Sequence, residues 1–180
     1  MMKITESKKL ITGLVCCLLI GTMTGCTVAS GRGEYMMMQN DSDKEKANAV
    51  MEPLVEALEE KDVERVKELF SKYALENSDN LDEKIEELMD YYPGYDGEYE
   101  VTISTEESMS FGVVWYALHA TYDLLKGDQS YEIRLTIFSR NDTERDKIGL
   151  YSIQVMTPEA KPEGFKWRNE NGDPGVFVLE

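Results

Sequence analysis

The sequence is poor in the residues from which many catalytic and metal centres are built. It has one histidine, His119, and three cysteines, Cys16, Cys17 and Cys26. Cys16 and Cys17 lie in an amino-terminal segment with the parts of an export signal, so a processed chain keeps Cys26 alone. That excludes an intrachain disulfide, a cysteine nucleophile and a Cys-rich metal site, and the domain must be held by its own core. Basic residues are also few: 19 Lys and Arg stand against 35 Asp and Glu, for a net charge of −16. So acidic a chain repels nucleic acid and anionic lipid, and no basic cluster offsets the repulsion. There is no EF-hand spacing, phosphate loop, serine elbow or paired acid site, so no cofactor is expected. Nor is a metal. Met36, Met37 and Met38 are consecutive and lack the His, Cys or second Met cluster that a copper(I) site would use.

What is present begins with an address. Lys3, Lys8 and Lys9 accompany an apolar run of 14 residues, Leu10 to Met23. That is shorter than the roughly 20 a helix needs to cross a bilayer, and it suits the core of a signal peptide. The MTGC that ends at Cys26 resembles the bacterial lipobox, with Met23 where leucine is usual. The resemblance implies that Cys26 receives a lipid and becomes the new amino terminus at the outer face of the bacterial cytoplasmic membrane. More than one acyl chain makes such an anchor stable. A plain signal peptide and an uncleaved helix are the alternatives. The organisation expected is a signal peptide at 1–25, a lipidated flexible tether at 26–41 and a single folded domain at 42–180. Processing leaves 155 residues with a net charge of −18, enough chain for one real core.

Helical spacing comes first. Ser42 with Glu45 forms a candidate capping box ahead of Ala47, Val50, Met51, Leu54, Val55 and Leu58, a stripe interrupted by Pro53. Asp62 can cap a second helix with the stripe Val63, Val66, Leu69, Phe70 and Ala74. Asn80 with Glu83 can open a third over Leu81, Ile85, Leu88 and Met89, stopped by YYPGYDG. Strand patterns follow at Tyr99–Thr105, Phe111–Leu125, Tyr131–Ser139, Ile148–Met156 and Gly175–Leu179. With Gly127-Asp128 as a two-residue loop, Tyr122 faces Ile133, Ala120 faces Leu135 and Leu118 faces Ile137. Tyr116 and Leu124 join that apolar face. The other carries Trp115, Ala117, His119 and Thr121 opposite Arg134, Thr136 and Phe138. Alternation leaves open which face is inward.

Helices followed by strands predict an α+β domain. This order, the segment WYALHATYDLLKGD followed by YEIRLTIF, and the terminal PGVF resemble a family of uncharacterised lipoproteins of Gram-positive anaerobes. The domain of that family is similar to the cone of nuclear transport factor 2. The likeness runs from about Lys44 to Leu179 and implies three helices packed on a curved antiparallel sheet. It also implies a cavity between the concave face and the helices, and a homodimer formed through the sheet. It brings no catalytic signature with it.

His119 is the sole near-neutral proton carrier and hence the candidate catalytic base, with Thr136 as its predicted neighbour. Asp123, four residues along the strand and about 13 Å away, is too far to orient it. Trp115, Tyr116, Tyr122 and Tyr151 are candidate walls for an amphipathic or planar ligand, and Arg134 for an anionic group. Tyr92, beside Pro93-Gly94, can close a cavity mouth. Each also has a structural reading, as core filler or solvated surface. The leading expectation is a surface-anchored lipoprotein that binds a small molecule or a protein without catalysis. A cone-type enzyme using His119 or a cavity carboxylate, and a purely structural or oligomerisation module, are the rivals.

Overall fold

The computed structural model describes residues 27–97, 99–161, 163, 165 and 172–179, with side chains from Ser42 onward. The export segment and Cys26 lie outside the described residues. The chain divides into two compact units, Met1–Asp41 and Ser42–Glu180, and the second contains all five described strands.

Helix α1 spans Thr27–Glu60, and from Ser42 onward it buries Ala47, Met51, Leu54, Val55 and Leu58 at the predicted spacing. Ser42 lies inside this helix, and Pro53 is accommodated without ending it. Of the segment read as a tether, only the helical backbone from Thr27 is described. Asp62 caps α2, Val63–Glu68, by accepting a hydrogen bond from the Arg65 N–H at 3.1 Å. The single second helix predicted through Ala74 is in fact two. Phe70 bridges to Leu150, and the Ser71 N–H donates to the Leu150 carbonyl at 2.8 Å. The backbone claimed by that strand cannot also continue a helix. Ser71 then caps α3, Lys72–Asn77, through its hydroxyl. Helix α4, Leu81–Tyr91, buries the expected Leu81, Ile85, Leu88 and Met89. Asn80 precedes it in the left-handed region at φ +51° and makes no side-chain cap, so the predicted capping box is not formed.

Five strands form one sheet in chain order: β1 Tyr99–Ser110, β2 Val113–Lys126, β3 Gln129–Asn141, β4 Gly149–Met156 and β5 Gly175–Leu179. The first four pair antiparallel as a meander, and β5 returns parallel to β4. The β2–β3 hairpin has the predicted register, with Tyr122 opposite Ile133, Ala120 opposite Leu135 and Leu118 opposite Ile137. Gly127 takes the left-handed φ of +58° that its tight loop needs.

The domain is therefore α+β, but it is not the expected nuclear transport factor 2-like cone. The sheet is mixed, and it is neither closed nor strongly curled. Closure would require β1 and β5 to meet, whereas they occupy opposite ends of a linear strand order. Four helices are described, and a filled layer replaces the expected cavity between helices and sheet. Leu118, Ala120, Tyr122 and Leu124 of β2 and Ile133, Leu135 and Ile137 of β3 pack there with the helical stripes. Complete burial of each large aliphatic chain in that layer contributes about 1.5–3 kcal/mol.

One close approach fastens helix to sheet. Gly149 sits at φ +123°, and a Cβ there would lie 3.3 Å from the Ser71 Cα. Replacement by alanine would force a backbone conformation that L-residues avoid and a contact with the Ser71 main chain tighter than side chains usually make. Gly149→Ala is expected to lower the unfolding free energy by about 1–3 kcal/mol, read from the urea midpoint; an unchanged midpoint would show that this junction carries no constraint.

Candidate functional site

The face of the sheet turned away from the core carries the odd-numbered side chains of β2. With Tyr151 and the segment after β3, they enclose an open cavity of about 690 Å³. Its wall is a run of rings. Trp115 and Phe138 have centroids 6.3 Å apart, and Phe138 meets Tyr151 edge-on at 5.2 Å. Tyr151 in turn stacks on Tyr73 at 6.0 Å, and its hydroxyl donates to the Gly172 carbonyl at 2.6 Å. Two register shifts place this wall. One at Tyr116/Ala117 brings Phe138 opposite Ala117, and one at Thr136/Ile137 leaves Tyr151 without a ladder partner on β3. Such bulges re-aim side chains at the cost of a paired backbone position.

The floor is polar. His119 Nδ1 lies 3.2 Å from the Thr136 hydroxyl, which can donate or accept, so either tautomer is compatible. Its Nε2 is buried without a hydrogen-bond partner and lies 3.8 Å from Glu106 Oε1, beyond hydrogen-bond reach but within the range of the charge. The histidine side chain is 14% exposed, whereas that of Glu106 is 67% exposed, which puts the carboxylate at the mouth. Burial pushes the imidazole below its ordinary pKa, and the Arg134 guanidinium pushes the same way, against the opposing pull of Glu106. Arg134 donates to the Thr121 hydroxyl at 3.4 Å, and burial lowers its own pKa. Across the ladder, Gln154 pairs with Arg134 and Ser152 with Thr136; both are buried and line the cavity. At the rim, Asn141 accepts from the Thr143 and Glu144 N–H groups at 3.2 and 2.8 Å, which folds the chain back over the opening. Lys147 lies there over the Tyr73 ring at 4.6 Å.

The sheet thus sorts the candidate residues. Trp115, His119, Arg134 and Tyr151 converge on the cavity. Tyr116, Tyr122 and Tyr92 go elsewhere. Tyr122 is wholly buried on the helix side and donates to Asn48 at 3.0 Å, and Tyr116 donates to the buried Asp43. Tyr92 ends α4 and meets Tyr131 edge-on at 6.0 Å. Strand alternation separates Tyr116 and Tyr122 from Trp115 and His119. The residues that sequence reasoning missed are Glu106, Asn141, Lys147, Ser152 and Gln154. Ser152 and Gln154 did carry a signal, since alternation along Ile148–Met156 sets them apart from Ile153 and Val155; the β3–β4 register needed to use it was lacking. Among the described residues, no group of three or more His, Cys, Asp or Glu is placed to hold a metal ion.

An open α+β domain with helices on one face of a mixed sheet and an aromatic-walled cavity on the other is the class that fold and site define. The chain belongs to the family described as Domain of unknown function (DUF5104), whose model matches residues 53–158. That span covers more than half the chain, including four strands and nearly all of the cavity lining. Among curated proteins, none matches the sequence. This membership corrects the expected kinship with lipoproteins that carry a nuclear transport factor 2-like domain: the family's description contains neither term, and the open sheet contradicts the cone. The match begins well after Cys26, so lipid attachment rests on the amino-terminal sequence alone.

Because His119 is the only histidine, its imidazole gives a single, unambiguous signal set in NMR. It is expected to titrate below its ordinary value of 6.5. The neutral form is then favoured by folding, so its contribution to stability is complete above 6.5 and is lost as pH falls through the folded pKa. A titration midpoint at or above 6.5 would mean that Glu106 outweighs burial and Arg134.

Proposed function

We propose that this protein binds a small organic molecule in the cavity on the free face of its sheet, at the outer surface of a bacterial cytoplasmic membrane. The observation that carries the reading is the convergence of Trp115, His119, Arg134 and Tyr151 on one opening of about 690 Å³. A cavity of that size matches the roughly 300–1,000 Å³ of sites for small ligands. Its lining divides the work. The Trp115–Phe138–Tyr151 wall suits a planar apolar part, and His119, Arg134 and Gln154 offer orienting hydrogen bonds to a polar one. A library of small aromatic alcohols, acids and amides, screened by the shift of the His119 imidazole signal, tests this. Hits are expected, with at least about tenfold weaker affinity in Trp115→Ala, as for a buried aromatic anchor. A library in which no compound moves the imidazole signal would overturn the reading.

An enzymatic reading is favoured by one specific feature: a mostly buried His119 with a carboxylate 3.8 Å from Nε2 inside an open cavity. There His119 takes a proton from bound substrate, and Glu106 stabilises the resulting imidazolium. For any ligand found, chemical conversion that His119→Gln abolishes while binding persists would select this second reading.

The location is supported by the export segment and MTGC at Cys26. Lipid attachment there predicts that the chain partitions with membranes and that Cys26→Ser releases mature-length protein or leaves unprocessed precursor. Wild-type protein recovered entirely in the soluble fraction, with no acyl mass on Cys26, would reject the anchor.

A further inference from the structure

The β1–β2 hairpin ends in an apolar tip that the fold does not use. Met109 is 79% exposed, Val113 40% exposed and the Phe111 ring fully exposed. Ser110 pairs with Val113, so Phe111 and Gly112 form the two-residue turn, at φ +50° and +82°. Asn, Asp or Gly is favoured at such left-handed positions, and a phenylalanine there adds backbone cost. With its ring in solvent, it returns no packing within the domain. The sequence around it is equally unusual. From Ser108 to Tyr122 there is no Asp, Glu, Lys or Arg, in a chain of which 30% is charged.

We propose that this tip enters the interfacial layer of a lipid bilayer and holds the domain against the surface. The shape is a convex wedge rather than a groove, so it suits a deformable apolar medium. Its reach fits. From Glu107, the last charged residue of β1, to Phe111 is four residues, about 13 Å at strand rise, whereas interfacial segments bury about 5–10 Å. On the β2 side the nearest charge is the Asp142 carboxylate at the Val114 N–H, three residues from Phe111 and so about 10 Å at strand rise. The tip can be immersed to that depth while Glu107 and Asp142 stay in water. The backbone of Val114, at the base of the wedge, is already satisfied. Val114 donates its N–H to the Asp142 carboxylate at 3.0 Å and accepts from the Asp142 N–H at 3.0 Å. Charge argues against a second copy as occupant. Two such tips meeting would bring Glu106 and Glu107 of one acidic chain against those of another. The inference rests on the surface location proposed above and is independent of the cavity.

The test places one tryptophan at the tip. The full chain carrying Trp115→Phe, Trp167→Phe and Phe111→Trp is reconstituted in vesicles of zwitterionic phosphatidylcholine. The expected result is blue-shifted emission, at least twofold quenching by brominated phosphatidylcholine, and protection from iodide. Retention on vesicles with water-like emission and full iodide quenching would overturn the tip and leave the location standing. Release from the vesicles would overturn both. A blue shift that needs no vesicles and grows with protein concentration would show that a second copy covers the tip, and would overturn the inference as well. Because the tip contributes nothing to the core, a far-ultraviolet spectrum and urea midpoint unchanged from those of the Trp115→Phe, Trp167→Phe parent establish that the variant is folded.

Discussion

The register of the β2–β3 hairpin is the constraint on which the rest of this domain depends. The loop at Gly127-Asp128 fixes Lys126 opposite Gln129, and every later pair follows from that closure. Leu118, Ala120 and Tyr122 are thereby committed to the helix side together with Ile133, Leu135 and Ile137. A slip of one residue would change which side chains meet across the strands throughout this pair. It would also detach Tyr122 from Asn48 and Tyr116 from Asp43, two hydroxyl contacts that tie β2 to α1. Each of those strand residues has its ring in or beside the core and its polar end met on the helix, so the same side chains contribute burial and fix the position of α1.

The consequence for function is a division of labour between faces. The helices fill one side so completely that Leu118, Ala120, Ile133 and Leu135 have no exposed surface. The opposite side has no helical layer among the described residues. Its depth comes from bulges and from the 141–147 segment, which folds back over the sheet on hydrogen bonds to Asn141. An arginine and a histidine are tolerated there because they are partly hydrated and lie beside hydroxyls and a carboxylate, not because they are paired in a dry interior. The buried Nε2 of His119 is the exception, and a buried polar atom without a protein partner is one that a guest in the cavity can satisfy.

Much of this was legible in the chain because it is local. Helix stripes at Ala47–Leu58 and Leu81–Met89, the Asp62 cap and the Gly127 loop are each written in a few neighbouring residues. The face shared by Trp115, His119, Arg134 and Thr136 follows from strand alternation and one loop. What could not be read depends on distant contacts. The break at Phe70–Ser71 exists because Leu150, far along the chain, takes that backbone into a bridge. The strand read from Phe111 begins only at Val113, because Phe111-Gly112 is the turn, and β1 runs on to Ser110, past the Thr105 at which its pattern ends. Tyr116 and Tyr122 were chemically suitable as ligand contacts, yet the choice of inward face lay with helices whose docking no local pattern specifies. The cone failed for a related reason: helices then strands is an order shared by open and curled sheets, and curvature is decided by bulges and edge pairing.

The chemistry of the cavity turns on how its single histidine is held. Thr136 meets Nδ1 but has no charge, so it orients the ring without stabilising an imidazolium. Burial and Arg134 both disfavour the protonated form, and Glu106, being largely in solvent, opposes them only weakly. A ligand that covers the mouth changes this balance. Excluding water from Glu106 strengthens its attraction for Nε2 by removing the solvent that screens it, while a neutral ligand adds no charge of its own. The same exclusion desolvates the imidazolium and unscreens Arg134, so a neutral guest makes the imidazole easier to protonate only where it also accepts a hydrogen bond from Nε2. An anionic ligand at Arg134 would act in the same direction by cancelling the guanidinium. A site that merely packs around an inert guest would instead bury the ring further and lower its pKa. The sign of the change in His119 on ligand binding therefore distinguishes a cavity whose polar floor engages its guest from one that uses only its aromatic wall.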